Sequence, residues 1–142
     1  MKILHVNYSD IIGGASIAVN NIHKYLIKNK IDSKLLVFDK NTEDKNVIGP
    51  KNNFEKNFYK LREKTIKYIT RRIFSNPSKT SYSLNLINTN ILEKINKIQA
   101  DIVHLHWVGN EMISINQLKK INKPIVWTFW DMWPINGAEH YS

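Results

Sequence analysis

Cysteine is absent from this chain of 142 residues. That excludes disulfides, thiolate zinc sites and a cysteine nucleophile, and leaves the redox compartment open. No run of eighteen or more apolar residues occurs, so nothing in the sequence has the length and hydropathy of a membrane-spanning helix. Glycine and proline are sparse, five and four residues, and neither an internal repeat nor a low-complexity linker divides the chain. Acidic side chains are the minority, 12 against 21 Lys and Arg, for a formal net charge of +9. Such an excess asks for an anionic partner (nucleic acid, an anionic membrane, a phosphorylated substrate) or for a solvated basic face. The abundance of Lys together with Asn and Ile, typical of A+T-rich codons, is a second source of it. The start, Met1-Lys2-Ile3-Leu4-His5-Val6, has one Lys and no small-residue cleavage site. It reads as a buried strand rather than a signal peptide, and the expected location is cytoplasmic.

What is present is the composition of a globular domain with a core, about two-fifths apolar and a quarter charged. The order of elements carries the fold. Residues 2–8 predict a strand, and the turn Ile11-Ile12-Gly13-Gly14 leads into a helix over Ala15–Lys28. There Ile17, Ala18, Ile22, Tyr25 and Leu26 fall on one face. A second strand follows at 33–38, then a polar loop from Asp39 to Asn53. Phe54, Phe58, Leu61, Ile66, Ile69 and Ile73 recur at helical spacing, with Lys56, Lys60, Arg62, Lys64, Lys67, Arg71 and Arg72 between them against Glu55 and Glu63 only. A loop over 75–81, a helix over Leu84–Ile98, a strand at 101–106, a short helix over Ile113–Ile121 and a strand at 124–129 complete the reading. Strands and helices in alternation, the strands apolar without alternation, predict an α/β fold. It is an open doubly wound parallel sheet, Rossmann-like, with both faces covered. Ligands of such sheets bind beyond the carboxyl ends of the strands. Asn7–Gly14, His106–Gly109 and Phe129–Trp133 then surround one crevice.

Three groups of residues there have chemical potential. Gly13-Gly14 permits a tight turn and opens a helix whose free N–H groups suit an anion such as a phosphate; a plain turn needs the same glycines. His104 and His106 share one strand face and have a metal-like spacing, but no third ligand lies near in sequence. No metal is expected, and His106 is the better candidate for touching a ligand. The segment 127–141 is the densest, with Trp127, Phe129, Trp130, Asp131, Trp133, Glu139 and His140. Aromatic faces beside hydrogen-bonding groups are what recognition of a sugar uses. Trp127 and Phe129 read as core, and Asp131 with Glu139 as a carboxylate pair lacks the supporting sequence of a hydrolase. The basic helix suits an anionic membrane surface, apolar side down, or simply a solvated face. No nucleic-acid-binding module is recognised, so no nucleic-acid partner is expected.

The segments GGASIAVNNIHKYL (13–26), DIVHLHW (101–107) and PIVWTFWDMWPINGAEHY (124–141) together resemble family-four retaining glycosyltransferases of the GT-B fold. The similar subgroup builds bacterial surface polysaccharides of the colanic-acid and capsule type. The resemblance lies at both ends of the chain and carries little over residues 40–85. It implies transfer of a sugar from a nucleotide-diphosphate donor to a glycan or polyprenyl-linked acceptor, with retention of configuration and without a metal or other cofactor. Gly13, Gly14 and Ala15 would face the donor diphosphate. His106, Trp107, Trp130, Asp131, Trp133 and His140 would form the acceptor side, with Asp131 and His106 the candidate catalytic residues. Lys56, Lys60, Lys64, Lys67, Arg71 and Arg72 would face the inner leaflet, with the enzyme peripheral there. Trp130 stands where the family commonly has histidine, and an indole is neither acid, base nor hydrogen-bond acceptor. The resemblance further implies a second Rossmann-like domain with a Glu-x7-Glu pair. Residues 1–142 therefore read as a partial, acceptor-side amino-terminal domain, expected to be inactive alone and to depend on a separate carboxyl-terminal half. The alternative is a non-catalytic module that docks on a partner subunit or an anionic membrane. An aromatic, β-branched last strand left at an edge predicts self-association.

Overall fold

The computed structural model describes residues 1–73, 82–136 and 140. In chain order the elements are β1 (Lys2–Ser9), α1 (Gly14–Lys28), β2 (Asp32–Asp39), β3 (Val47–Ile48), α2 (Asn53–Ile73), α3 (Ile91–Lys97), β4 (Ile102–Leu105), α4 (Ile115–Leu118), β5 (Ile125–Trp127) and α5 (Trp133–Asn136). The five strands form one parallel sheet in the order β3-β2-β1-β4-β5. It is an open α/β sheet of Rossmann-like arrangement with helices against both faces, as the alternation of elements predicts. No helix among the described residues is long and apolar enough to cross a membrane.

The two faces differ because β1 alternates. Leu4 and Val6 point to one side with Leu36, Phe38, Val103 and Leu105, and α2 and α3 close over them through Tyr59, Ile91 and Ile95. Phe38 and Tyr59 stack at 3.8 Å. His5, Asn7 and Ser9 point to the other side, beneath α1, where the buried apolar cluster among the described residues is Val19, Leu35, Val37 and Val47.

That polar underside corrects the expected face of α1. Ser16, Val19, Asn20 and His23 are the buried side chains, and Ile17, Ile22 and Tyr25 are exposed. Asn7 Nδ2 donates to Ser16 Oγ at 3.0 Å, and His23 Nδ1 pairs with Ser33 Oγ at 2.7 Å. Polar groups on the sheet select polar groups on the helix, since burying either unpaired costs more than burying an apolar pair gains.

The segment expected as one helix over 84–98 is helical only from Ile91. Residues 83–90 instead run as a strap over the loop after β4. Asn85, with φ of 46°, donates to the carbonyls of Val108 and Ile113 and accepts from Glu111 N–H, while Glu111 Oε1 accepts from Asn85 N–H. Asn, Thr and Ser side chains that bond backbone groups compete with helix formation. Likewise the expected helix over 113–121 shrinks to one turn, opened by a Ser114–Gln117 capping box. The expected loop 39–53 contains β3, and the expected loop 75–81 lies outside the described residues.

Over residues 53–72 of α2, Tyr59 and Thr70 are the buried side chains; Phe54, Phe58, Leu61 and Tyr68 are 55–81% exposed. Lys56 and Lys67 of the basic helix are engaged in ion pairs, Lys67 with a residue of its own helix. Lys56 Nζ donates to the Lys40 carbonyl at 3.1 Å and lies 3.6 Å from Asp39, and Lys67 pairs with Glu63 at 2.5 Å.

Candidate functional site

In the order 3-2-1-4-5 the chain reverses direction between β1 and β4, and side chains beyond the carboxyl ends of these strands open onto a common crevice. It encloses about 750 Å³. One wall is the turn after β1, with Ile12, Gly13, Gly14, Ala15 and Ser16; the other is Trp107, Asn110, Trp130, Asp131 and His140, with Tyr8 and Glu63 completing it. Gly13 has φ of 93°, a value that strains any residue with a Cβ. It precedes a 15-residue helix with no side-chain cap and no acidic residue in its first turn. The leading N–H groups of α1 are thus left to the crevice, and the helix dipole favours negative charge there.

The opposite wall is organised by Asp131, whose side chain is 5% exposed. Its Oδ2 accepts from Trp107 Nε1 at 2.6 Å and bonds His140 Nδ1 at 2.5 Å, and its Oδ1 accepts from Trp133 N–H. His140 Nε2 in turn lies 2.7 Å from Ser83 Oγ, which also accepts from Asn110 N–H. Serine, histidine and aspartate in this order have the connectivity of a nucleophilic triad. Ser83 is buried, 2% exposed, and is not on the crevice wall. A nucleophile must reach its substrate, so the chain of bonds positions Asp131 and Trp107 instead. Gly109 makes room for it: a Cβ there would lie 2.9 Å from His140 Cε1, 3.0 Å from Ser83 Oγ and 3.0 Å from Trp107.

Behind Trp130 lies a row of histidines. His5 Nδ1 and His106 Nε2 are 3.0 Å apart, Trp130 Nε1 donates to His106 Nδ1 at 3.3 Å, and His104 Nε2 pairs with Thr128 Oγ1 at 2.8 Å. One ring nitrogen from each of His5, His104 and His106 lies within 4.8 Å of the others. An indole N–H aimed at His106 Nδ1 leaves the ring proton on Nε2, pointing at His5 Nδ1, where a metal needs a bare lone pair. Burial, then the neighbouring histidines, pushes His5 and His106 down to about 3, and burial lowers His104 and His23 as well. The row is neutral near pH 7. His5 Nε2, His23 Nε2 and Asn20 Oδ1 have no partner among the described residues.

Of the residues singled out in the sequence, Gly13, Gly14, Ala15, Trp107, Trp130, Asp131 and His140 meet in the crevice. His106 does not reach the wall; it is buried beneath Trp130. Trp133 is a core residue, 5% exposed, with Nε1 donating to the Ser83 carbonyl at 2.7 Å. Trp127 is half-buried against the core, whereas Phe129 is exposed rather than core. Glu139 lies outside the described residues. Tyr8 lies within the 7–14 segment expected at the crevice; sequence reasoning missed Glu63, Asn110 and Ser83, which pairing brings together from distant segments. Tyr8 O–H donates to Glu63, and burial with that carboxylate pushes the phenol up. Compared with protein-family models, curated proteins and solved structures, the chain has no match.

Proposed function

We propose that this domain is the acceptor-side part of a glycosyltransferase that moves a sugar from a nucleotide-diphosphate donor to a glycan or lipid-linked acceptor. The observation that carries the reading is the pairing, across one crevice, of an uncapped helix N-terminus with two indole rings and a buried Asp131–His140 pair. The Gly13–Ala15 turn suits a diphosphate, and Trp107 and Trp130 suit the apolar face of a pyranose. This fits the resemblance of segments 13–26, 101–107 and 124–141 to retaining enzymes of surface-polysaccharide synthesis.

In that role the residues bind and orient. Both Asp131 oxygens are occupied, His140 is bonded at both ring nitrogens, and Trp130 has no lone pair to offer. Proton transfer and departure of the diphosphate then fall to the donor and to a second domain, and residues 1–142 alone are expected to turn over no nucleotide sugar. A second reading, a binding module without catalysis, is favoured by the same fact: each titratable side chain lining the crevice already has a partner.

Titration of labelled protein with a nucleoside diphosphate and with an oligosaccharide, followed by amide and indole NMR, separates the two. The transferase reading expects shifts at the Gly13, Gly14 and Ala15 amides with the nucleotide and at the Trp107 and Trp130 indoles with the glycan. A glycan response without any nucleotide response leaves the binding module; silence at both contradicts both.

A further inference from the structure

The crevice is acidic where the chain as a whole is basic. Lys and Arg outnumber Asp and Glu by 21 to 12, yet among the described residues lining this cavity there is neither Lys nor Arg, and the carboxylates are those of Glu63 and Asp131. Each is already engaged. Glu63 bonds Tyr8 and, at 2.5 Å, Lys67; Asp131 bonds Trp107, the Trp133 N–H and His140. His140 is bonded at both ring nitrogens. The indole wall thus meets an incoming anion with two carboxylates and no lining cation, and the positive end of the crevice is the start of α1 on the opposite wall. A cationic ligand finds the same two carboxylates already partnered.

The same wall leaves an amide open. Trp107 Nε1 donates to Asp131 at 2.6 Å and Trp130 Nε1 to His106 at 3.3 Å, so the two indoles present ring faces rather than N–H groups. Asn110 lines the same crevice, partly exposed, and its side-chain amide has no hydrogen-bond partner among the described residues. Its backbone is held in place at a steric cost. Asn110 and Glu111 are successive residues in the left-handed region, with φ of 51° and 61°, which residues with a Cβ seldom adopt. Asn110 N–H donates to Ser83 Oγ at 2.8 Å and Glu111 N–H to Asn85 Oδ1 at 3.0 Å, while the buried Glu111 carboxylate accepts from the N–H groups of Asn85 and Leu86. Strain maintained by a surrounding network is concentrated at positions that meet a ligand. An amide donates through Nδ2 and accepts through Oδ1, which matches two adjacent hydroxyls of one ring.

We propose that the crevice takes an uncharged pyranose, with its apolar face on the Trp107 and Trp130 rings and two adjacent hydroxyls on the Asn110 amide, and that it rejects sugars carrying a carboxylate. The proposal rests on the sugar-binding half of the transferase reading and narrows it to a neutral acceptor residue, with Asn110 as the side chain that reads its hydroxyls.

The test is NMR titration of the Trp107 and Trp130 indoles with the methyl glycosides of glucose, galactose and mannose, and with those of glucuronic acid and glucosamine. A neutral glycoside is expected to bind about tenfold more tightly than either charged one. Asn110→Gly adopts the left-handed backbone without strain and should weaken neutral binding about five- to tenfold with no loss in the urea midpoint; the near-isosteric Asn110→Asp should weaken it as well. Glucuronide or glucosaminide binding as tight as that of the neutral glycosides overturns the proposal and leaves the sugar site standing, and so does neutral binding indifferent to both substitutions. Silence of both indoles towards every glycoside overturns the proposal together with the sugar site. Asn110-dependent binding of a neutral glycoside, without any response of the Gly13, Gly14 and Ala15 amides to a nucleoside diphosphate, sustains the proposal and refutes the transferase.

Discussion

The two faces of the sheet use the same strands for opposite ends. On the α2 and α3 side, Leu4, Val6, Leu36, Phe38, Val103 and Leu105 join one large core. On the α1 side the alternate residues of β1, of β4 and of the position just after it are His5, Asn7, Ser9, His104 and His106, and among the described residues the buried apolar cluster there is Val19, Leu35, Val37 and Val47. Hydrophobic burial holds the first face, and paired polar groups specify the second. The difference shows how a strand of period two carries an apolar core on one side and a buried polar network on the other.

The largest effect that can break this comparison is a core truncation. Leu36→Ala should cost about 2–5 kcal/mol in urea unfolding, while Asn20→Ala, which removes a buried oxygen without a partner, should change stability by less than about 1 kcal/mol. Equal costs would erase the distinction. Next, Gly109→Ala should cost about 1–3 kcal/mol by crowding and displace the Trp107 indole resonance, because His140 Cε1, Ser83 Oγ and Trp107 lie 2.9–3.0 Å from the new methyl. An unmoved indole would show that the wall is looser than its packing implies.

Acid sharpens the comparison further. His5 and His106 titrate near 3 when folded, below their ordinary 6.5, so the unfolded chain binds more protons between those values. Their contribution is complete above pH 6.5 and is lost as pH falls towards 3. The urea midpoint should therefore drop between pH 7 and 5.5, before most carboxylates titrate. A flat profile there would show that the histidine face is open to water. The smallest effect belongs to the outer surface: Phe58→Ser should shift stability by no more than about 0.5 kcal/mol. Val126→Lys on the exposed edge strand β5 should reduce self-association in light scattering without loss of fold.

The sheet was legible in the sequence because β1, β2 and β4 are short apolar runs separated by one crossover each, and their carboxyl ends name the crevice directly. The burial of α1 was not legible. Its apolar periodicity points to Ile17, Ile22 and Tyr25, and only the polar side chains of β1 and β2 explain why Ser16, Asn20 and His23 lie inward instead. Nor was the strap at 83–90, since Asn85 acts through bonds to residues more than twenty positions away. His5 joins His104 only through the β1–β4 register, a relation invisible to local spacing. Asp131 and His140 were found by their density of functional groups, yet their dependence on Ser83 required the fold.

Gly14→Asp tests the central claim most directly. A Cβ at Gly14 meets nothing within 4 Å, and a carboxylate in the first turn of α1 should stabilise the helix by about 0.3–1 kcal/mol. The same charge stands where the diphosphate is proposed to sit. Calorimetric titration with a nucleoside diphosphate should show binding by the native protein and at least a tenfold loss in the variant, which is itself as stable or more so. Undiminished binding by the variant, or none by the native protein, would contradict the assignment of this crevice to a nucleotide-sugar diphosphate.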